Sequence, residues 1–239
     1  MHYINGNAPI PRSVIFGLGV VICLVLSMGT DISYPEAERI ANPEEELNQV
    51  REAAARGLAP LLKAIPARDL AQYNFPDERE LDRSTLGNPF RIHTIPPELI
   101  LNYSPETSLE EIISPTSIWL FPVILEGETR TLLTVDFIDG EWRAVAIGRS
   151  GLAKRWASIL ELWPSSDGYQ HTFVRIFQAK ADFVILSHAG GTKITPLESA
   201  CISLGVSEAE TYSPSQIMMK LQKPVQDNIE SSQFINEER

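Results

Sequence analysis

The sequence predicts an α+β fold: an antiparallel β-meander sheet with helices packed on it, preceded by an N-terminal signal or anchor segment. Three observations carry this expectation. Residues 118–147 hold three apolar runs joined by the short turns Glu126-Gly127 and Asp139-Gly140, the pattern of consecutive antiparallel strands. Stretches with apolar residues at three- and four-residue steps flank that segment on both sides, as amphipathic helices require. The uncharged run 14–28 follows Pro11-Arg12 close to the start, where a targeting segment belongs.

That run is 15 residues long, and Ser27-Met28-Gly29 places small residues at an acceptable cleavage site. A signal core of about 7–15 residues accommodates it. A spanning helix wants about 20 apolar residues, with roughly 17 as a floor. Counting Gly29 and Thr30 brings the run to 17, so residues 1–30 read either as a cleaved signal peptide or as a membrane anchor through residues 14–28. Arg12 precedes the run, whereas Asp31, Glu36, Glu38, Glu44, Glu45 and Glu46 follow it. Positive charge stays on the inner side, so the remainder is expected outside the cytoplasm, secreted or held at a membrane. A buried core helix would be amphipathic, and this run is apolar all round. Cys23 lies in mid-run without small residues before it, which argues against a lipid-modified cysteine.

Residues 31–41 read as a tether, residues 42–225 as a single α+β domain, and residues 226–239 as a polar flexible tail. Asn42 suits a helix cap, Pro43 the first turn, and Glu44, Glu45 and Glu46 the positive end of the dipole. Leu47, Val50, Ala54, Leu58 and Leu61 continue one apolar stripe until Pro60 and Pro66 bend or end it. Prolines at 76, 89, 96, 97, 105 and 115 restrict residues 67–116 to short elements. Among these are a strand at 90–95 and one helical turn opened by Ser108-Leu109-Glu110-Glu111. The meander strands are 118–125, 131–137 and 142–147. Leu133, Val135 and Phe137 face one way in the second strand, Thr134 and Asp136 the other. Pro122 suggests an edge or a bulge in the first. A helix at 152–163 has Leu152, Trp156, Ile159 and Trp163 inside, and Pro164 stops it. Strands at 171–177 and 183–188 follow. Residues 194–204 fit a strand or a helix. Ser213-Pro214 opens a last helix with Ile217, Met218, Leu221 and Val225 facing inward.

The net charge of −11 argues against nucleic acid as a partner, because phosphate binding needs a basic face. Only Cys23 and Cys201 are present, so a chain without its apolar run has no intrachain disulfide to form. The sequon Asn102-Tyr103-Ser104 matters only where a host glycosylates, and Pro105 weakens it. His93, His171 and His188 show no ligand spacing, and no metal, cofactor or catalytic set is picked out. Cys201, with His188 or His171 as base, would be a nucleophile only through spatial adjacency; a small buried hydrophobe accounts for it as well. In the loop His188-Ala189-Gly190-Gly191-Thr192-Lys193, adjacent glycines let backbone N–H groups converge on an anion and Lys193 adds charge. His188, Gly190, Gly191 and Lys193 are therefore candidate ligand-binding residues, although a plain turn also explains the glycines. Asp136, Asp139 and Glu141 read as a solvated acidic edge, and Trp119, Trp142, Trp156 and Trp163 as core. The expectation is an exported or membrane-tethered non-catalytic domain that binds a protein or peptide partner. The alternatives are a small-molecule or anion-binding sensor and a cysteine-dependent enzyme.

Overall fold

A computed structural model describes residues 42–237, with side chains through 232. The apolar run 14–28, the tether 31–41 and the last two residues lie outside the described residues. The first helix, α1, is Pro43–Lys63, and it starts as its sequence dictates. The Asn42 side chain accepts the Glu44 N–H at 3.0 Å, filling one of the orphan donors of the first turn. Pro60 lies inside α1; it forgoes one helical hydrogen bond near the C-terminal end, and the helix closes at Lys63. Two 3₁₀ segments, Ala67–Tyr73 and Glu78–Arg83, lead into the sheet.

The strands are β1 (Thr85–Leu86), β2 (Phe90–Thr94), β3 (Ser114–Leu125), β4 (Glu128–Ile138), β5 (Glu141–Gly148), β6 (Gln170–Ile176), β7 (Ala181–His188) and β8 (Gly191–Pro196). Among the described residues they form one sheet in the order β5-β4-β3-β2-β6-β7-β8, with β1 beside β3. Every pairing is antiparallel except β2 with β6, where Ile92 lies opposite Phe173. The expected meander is β3-β4-β5. Both of its turns place two residues at positive φ: Glu126 and Gly127 at 54° and 83°, Asp139 and Gly140 at 53° and 84°. That is the conformation whose twist matches a two-residue hairpin.

Pro122 does not mark an edge. β3 is flanked by β4 on one side and by β1 and β2 on the other. The Gly87 N–H donates to the Pro122 carbonyl at 2.7 Å, and the N–H and C=O of a strand residue share a side. The missing N–H therefore faces the gap where the neighbouring chain passes from β1 to β2. A Cβ at Gly87 would stand 2.9 Å from Ile124 Cδ1 and 3.1 Å from Pro122 Cβ, so a larger residue in this break would press on both side chains. The bulge expected near Pro122 falls at Val123–Ile124, where the β3–β4 register shifts.

Alternation along the strands splits the core between two faces. On one face α1 buries Val50, Ala54 and Leu62 against Phe121, Val123, Leu133, Val135 and Trp142. Farther along it, α2 (Pro97–Leu101), α3 (Leu109–Ile112), α5 (Glu198–Leu204) and α6 (Pro214–Glu237) cover Val174, Ile176, Phe183 and Ile185. On the other face α4 (Ser150–Leu162) sets Ala153, Trp156 and Ile159 on Phe90, Ile92, Leu120, Leu132, Phe173, Val184 and Leu186. Phe137, expected to share the inner face with Leu133 and Val135, is partly exposed because it stands beside the β4–β5 turn.

Residues 194–204 are both strand and helix: β8 ends at Pro196 and α5 begins at Glu198. Ile217, Met218, Leu221 and Val225 are all buried, as their spacing predicts. α6 carries on past Val225, where the sequence reading placed a polar tail. Pairs four residues apart support it there: Lys223 Nζ stands 2.9 Å from Asp227, and Gln226 donates to Glu230 at 2.6 Å. No helix among the described residues is long and apolar enough to cross a membrane.

Candidate functional site

The structure brings His188, Gly190, Gly191 and Lys193 together at the β7–β8 hairpin. His188 pairs with Gly191 across the ladder, which leaves Ala189 and Gly190 as the turn. Gly191, at φ 118°, holds a backbone conformation few other residues adopt. The Gly190 N–H donates to His188 Nδ1 at 3.1 Å. The His188 ring stacks on Tyr169 at 4.7 Å, and Lys193 Nζ sits 5.6 Å over the Trp163 ring. These side chains thus form an aromatic patch around the turn.

The remaining sequence candidates are dispersed. His171 Nε2 bonds the Trp163 carbonyl at 2.7 Å. His93 lies half-buried on β2, and desolvation lowers its pKa. Cys201 lies on α5 against the α6-side core. Burial, followed by the Glu208 charge, raises its thiol pKa, the opposite of what a thiolate nucleophile needs. Asp136 accepts from Ser117 Oγ at 2.6 Å and from the Phe137 N–H at 2.8 Å. Among the described residues no three His, Cys, Asp or Glu side chains are placed to hold a metal ion.

The stronger site is one the sequence did not single out, a cleft of about 900 Å³ at the start of α4. Its construction is local. β5 ends at Gly148, Arg149 turns the chain in the left-handed conformation (φ 60°, ψ 44°), and α4 begins at Ser150. The N-terminus of α4 has no side-chain cap and no acidic residue in its first turn, in contrast to α1 with Glu44, Glu45 and Glu46. Lys154 and Arg155 extend from α4 itself. Arg175 comes from β6, and Phe177 and Lys180 from the turn between β6 and β7. Glu198 and Ser199 of α5, with Glu208 beyond it, close the far wall.

Two of the five cations are neutralised. Arg175 grips Asp182 bidentately, Nε to Oδ1 at 2.6 Å and Nη2 to Oδ2 at 2.8 Å, with the side chains only 17% and 13% exposed. Arg155 Nε lies 2.9 Å from a Glu208 carboxylate oxygen, and its Nη2 donates to the Glu208 carbonyl at 2.8 Å. Arg149, Lys154 and Lys180 make no ion pair or side-chain hydrogen bond among the described residues. Burial, then the neighbouring Arg175 charge, lowers the Arg149 pKa, with Asp182 partly offsetting both. Phe177 leaves 47% of its surface open, and Leu152 and Leu197 add apolar wall. The cleft falls within the roughly 300–1,000 Å³ typical of small-molecule sites. Its chemistry is that of an anion site with an apolar side.

Comparison of the chain with protein-family models, with curated proteins and with solved structures found no match.

Proposed function

We propose that this chain is a non-catalytic binding domain that takes an anionic ligand in the cleft at the start of α4. The observation that carries the reading is the trio of unpaired cations, Arg149, Lys154 and Lys180, gathered on a chain of net charge −11. Like charges held together in a concave site repel one another, and an anion converts that repulsion into charge-assisted hydrogen bonds. The uncapped first turn of α4 adds N–H donors and the positive end of a dipole.

Strand addition, another way to hold a peptide, is opposed at both edges of the sheet. β5 bulges at Val145, where the register against β4 slips. The free side of β8 is met by Tyr212, which bridges Ile194. A partner protein fits this reading best where it presents an acidic segment to the cleft. The N-terminal run 14–28 belongs to the same proposal, as the segment that delivers the domain beyond the cytoplasm and holds it at the membrane if uncleaved; the charge asymmetry around it supports that.

Isothermal titration of the full-length chain with phenyl phosphate, inorganic phosphate and a hexaglutamate peptide tests the site. Binding of at least one anion is expected, weakened about tenfold by Arg149→Ala or Lys154→Gln and unaffected by His188→Ala or Lys193→Ala. Loss through the His188 and Lys193 variants alone would move the site to the β7–β8 turn. Recovery of the intact chain freely dissolved in the cytoplasm after fractionation would remove the delivery reading.

A further inference from the structure

We infer that the occupant of this cleft is a phosphate monoester carried on an apolar or aromatic group, an inference that rests on the anion-binding reading above. Charge selects the head group. With Arg175 and Arg155 already paired, three free cations face one unpaired lining carboxylate, Glu198. The surplus of two positive charges matches a phosphate monoester, which carries about −1.5 to −2 at pH 7. A single carboxylate would leave that surplus half-met.

Geometry agrees with charge. The cations come from three places in the chain: Arg149 from the β5–α4 junction, Lys154 from within α4, Lys180 from the β6–β7 turn. A planar carboxylate presents its oxygens to one side, whereas a tetrahedral head group offers three terminal oxygens to donors placed around it. The Ala153 N–H already bonds the Arg149 carbonyl at 2.9 Å, so the helical N–H groups without a partner are those of Ser150, Gly151 and Leu152. Two of these residues, Gly151 and Leu152, line the cleft.

Phe177 selects the rest of the ligand. Its ring, 47% exposed in a cleft wall beside Leu152 and Leu197, gains by burial against an apolar group. Inorganic phosphate satisfies the cations and leaves that wall wet. Phenyl phosphate satisfies both. Such a head group reaches the site either on a soluble molecule or at the surface of a bilayer, as in phosphatidic acid.

Titration of the full-length chain with four probes decides between these. They are inorganic phosphate, phenyl phosphate, hexaglutamate, and phosphatidylcholine vesicles with or without phosphatidic acid. Phenyl phosphate is expected to bind about tenfold more tightly than inorganic phosphate. Phe177→Ala should erase that preference while leaving inorganic phosphate unchanged, and Lys154→Gln, on an exposed helix position, should weaken both. Vesicle binding that needs phosphatidic acid, and that Lys154→Gln and Phe177→Ala both reduce, supports the inference with a lipid source; soluble binding alone supports a small-molecule source. Binding of hexaglutamate alone overturns the inference and leaves the anion-binding reading standing. Equal affinity for the two phosphates, or a preference that survives Phe177→Ala, also overturns it. Failure of every probe overturns both.

Discussion

Arg149 meets two demands that conflict. It turns the chain from β5 into α4 at φ 60°, a conformation that costs an L side chain about 1–2 kcal/mol, and its guanidinium stands near that of Arg175. Asparagine tolerates the left-handed region and carries no charge. Arg149→Asn is therefore expected to raise the thermal midpoint by about 2–4 °C while weakening phenyl phosphate about tenfold. Scanning calorimetry with titration reads both, and a lower midpoint with unchanged affinity takes Arg149 out of the site. Asp182 behaves differently. Asp182→Asn strands the Arg175 guanidinium in a wall where both side chains are largely buried, and a loss of about 3–5 kcal/mol is expected in urea denaturation; a loss under about 1 kcal/mol would mean that the pair is effectively solvated. None of this was legible residue by residue. The cations at 149, 154, 155 and 180 each sit where a charge is ordinary, on a helix surface or in a turn, and Arg175 is a single charge in a strand. Only the landing of α4 on the sheet and the pairing of β6 with β7 make them converge. The loop at 188–193 carried the local signature instead, and its glycines sit in and beside a hairpin turn.

Gly57 sets the distance between α1 and β5. A Cβ there would stand 2.1 Å from the Ala144 Cβ. In an exposed helix Gly→Ala gains about 1 kcal/mol, so the close approach decides the sign here. Gly57→Ala is expected to destabilise by about 1–3 kcal/mol in urea, and adding Ala144→Gly should recover part of the loss, as coupled neighbours do. A Gly57→Ala chain more stable than the parent would show that α1 has room to shift. Legibility at this scale followed locality. The β3-β4-β5 hairpins were readable because their turns demand particular residues at adjacent positions, and α6 because its stripe repeats at helical spacing. The parallel pairing of β2 with β6 was not, since Ile92 and Phe173 are far apart in the sequence and nothing local encodes the match. The β8–α5 boundary was ambiguous because Leu197 alone separates the two elements. Pro122 pointed to the neighbouring bulge but not to its place inside the sheet, which depends on a break in a different segment, at Gly87.

The molecule as a whole carries −11, and its cleft carries the opposite sign. That contrast predicts an unusual dependence of binding rate on salt. Ordinary electrostatic steering accelerates association at low ionic strength and fades as salt is added. Here a dianion approaches an acidic body and meets attraction only near the mouth of the cleft. The Debye length falls from about 30 Å at about 10 mM to about 8 Å at about 150 mM. Over that interval added salt screens the long-range repulsion of the whole surface, while contacts a few ångströms away within the cleft are screened less. The association rate of phenyl phosphate is therefore expected to rise between these salt concentrations, as measured by stopped-flow mixing. At higher salt the affinity should fall through faster dissociation, as the contacts themselves weaken. Lys154→Gln removes attraction at the mouth without changing the distant field much, so it should make the early rise steeper. A rate that declines steadily from the lowest salt upward would show that the cleft's own field reaches farther than the net charge, and that the acidic exterior plays no part in admitting the ligand.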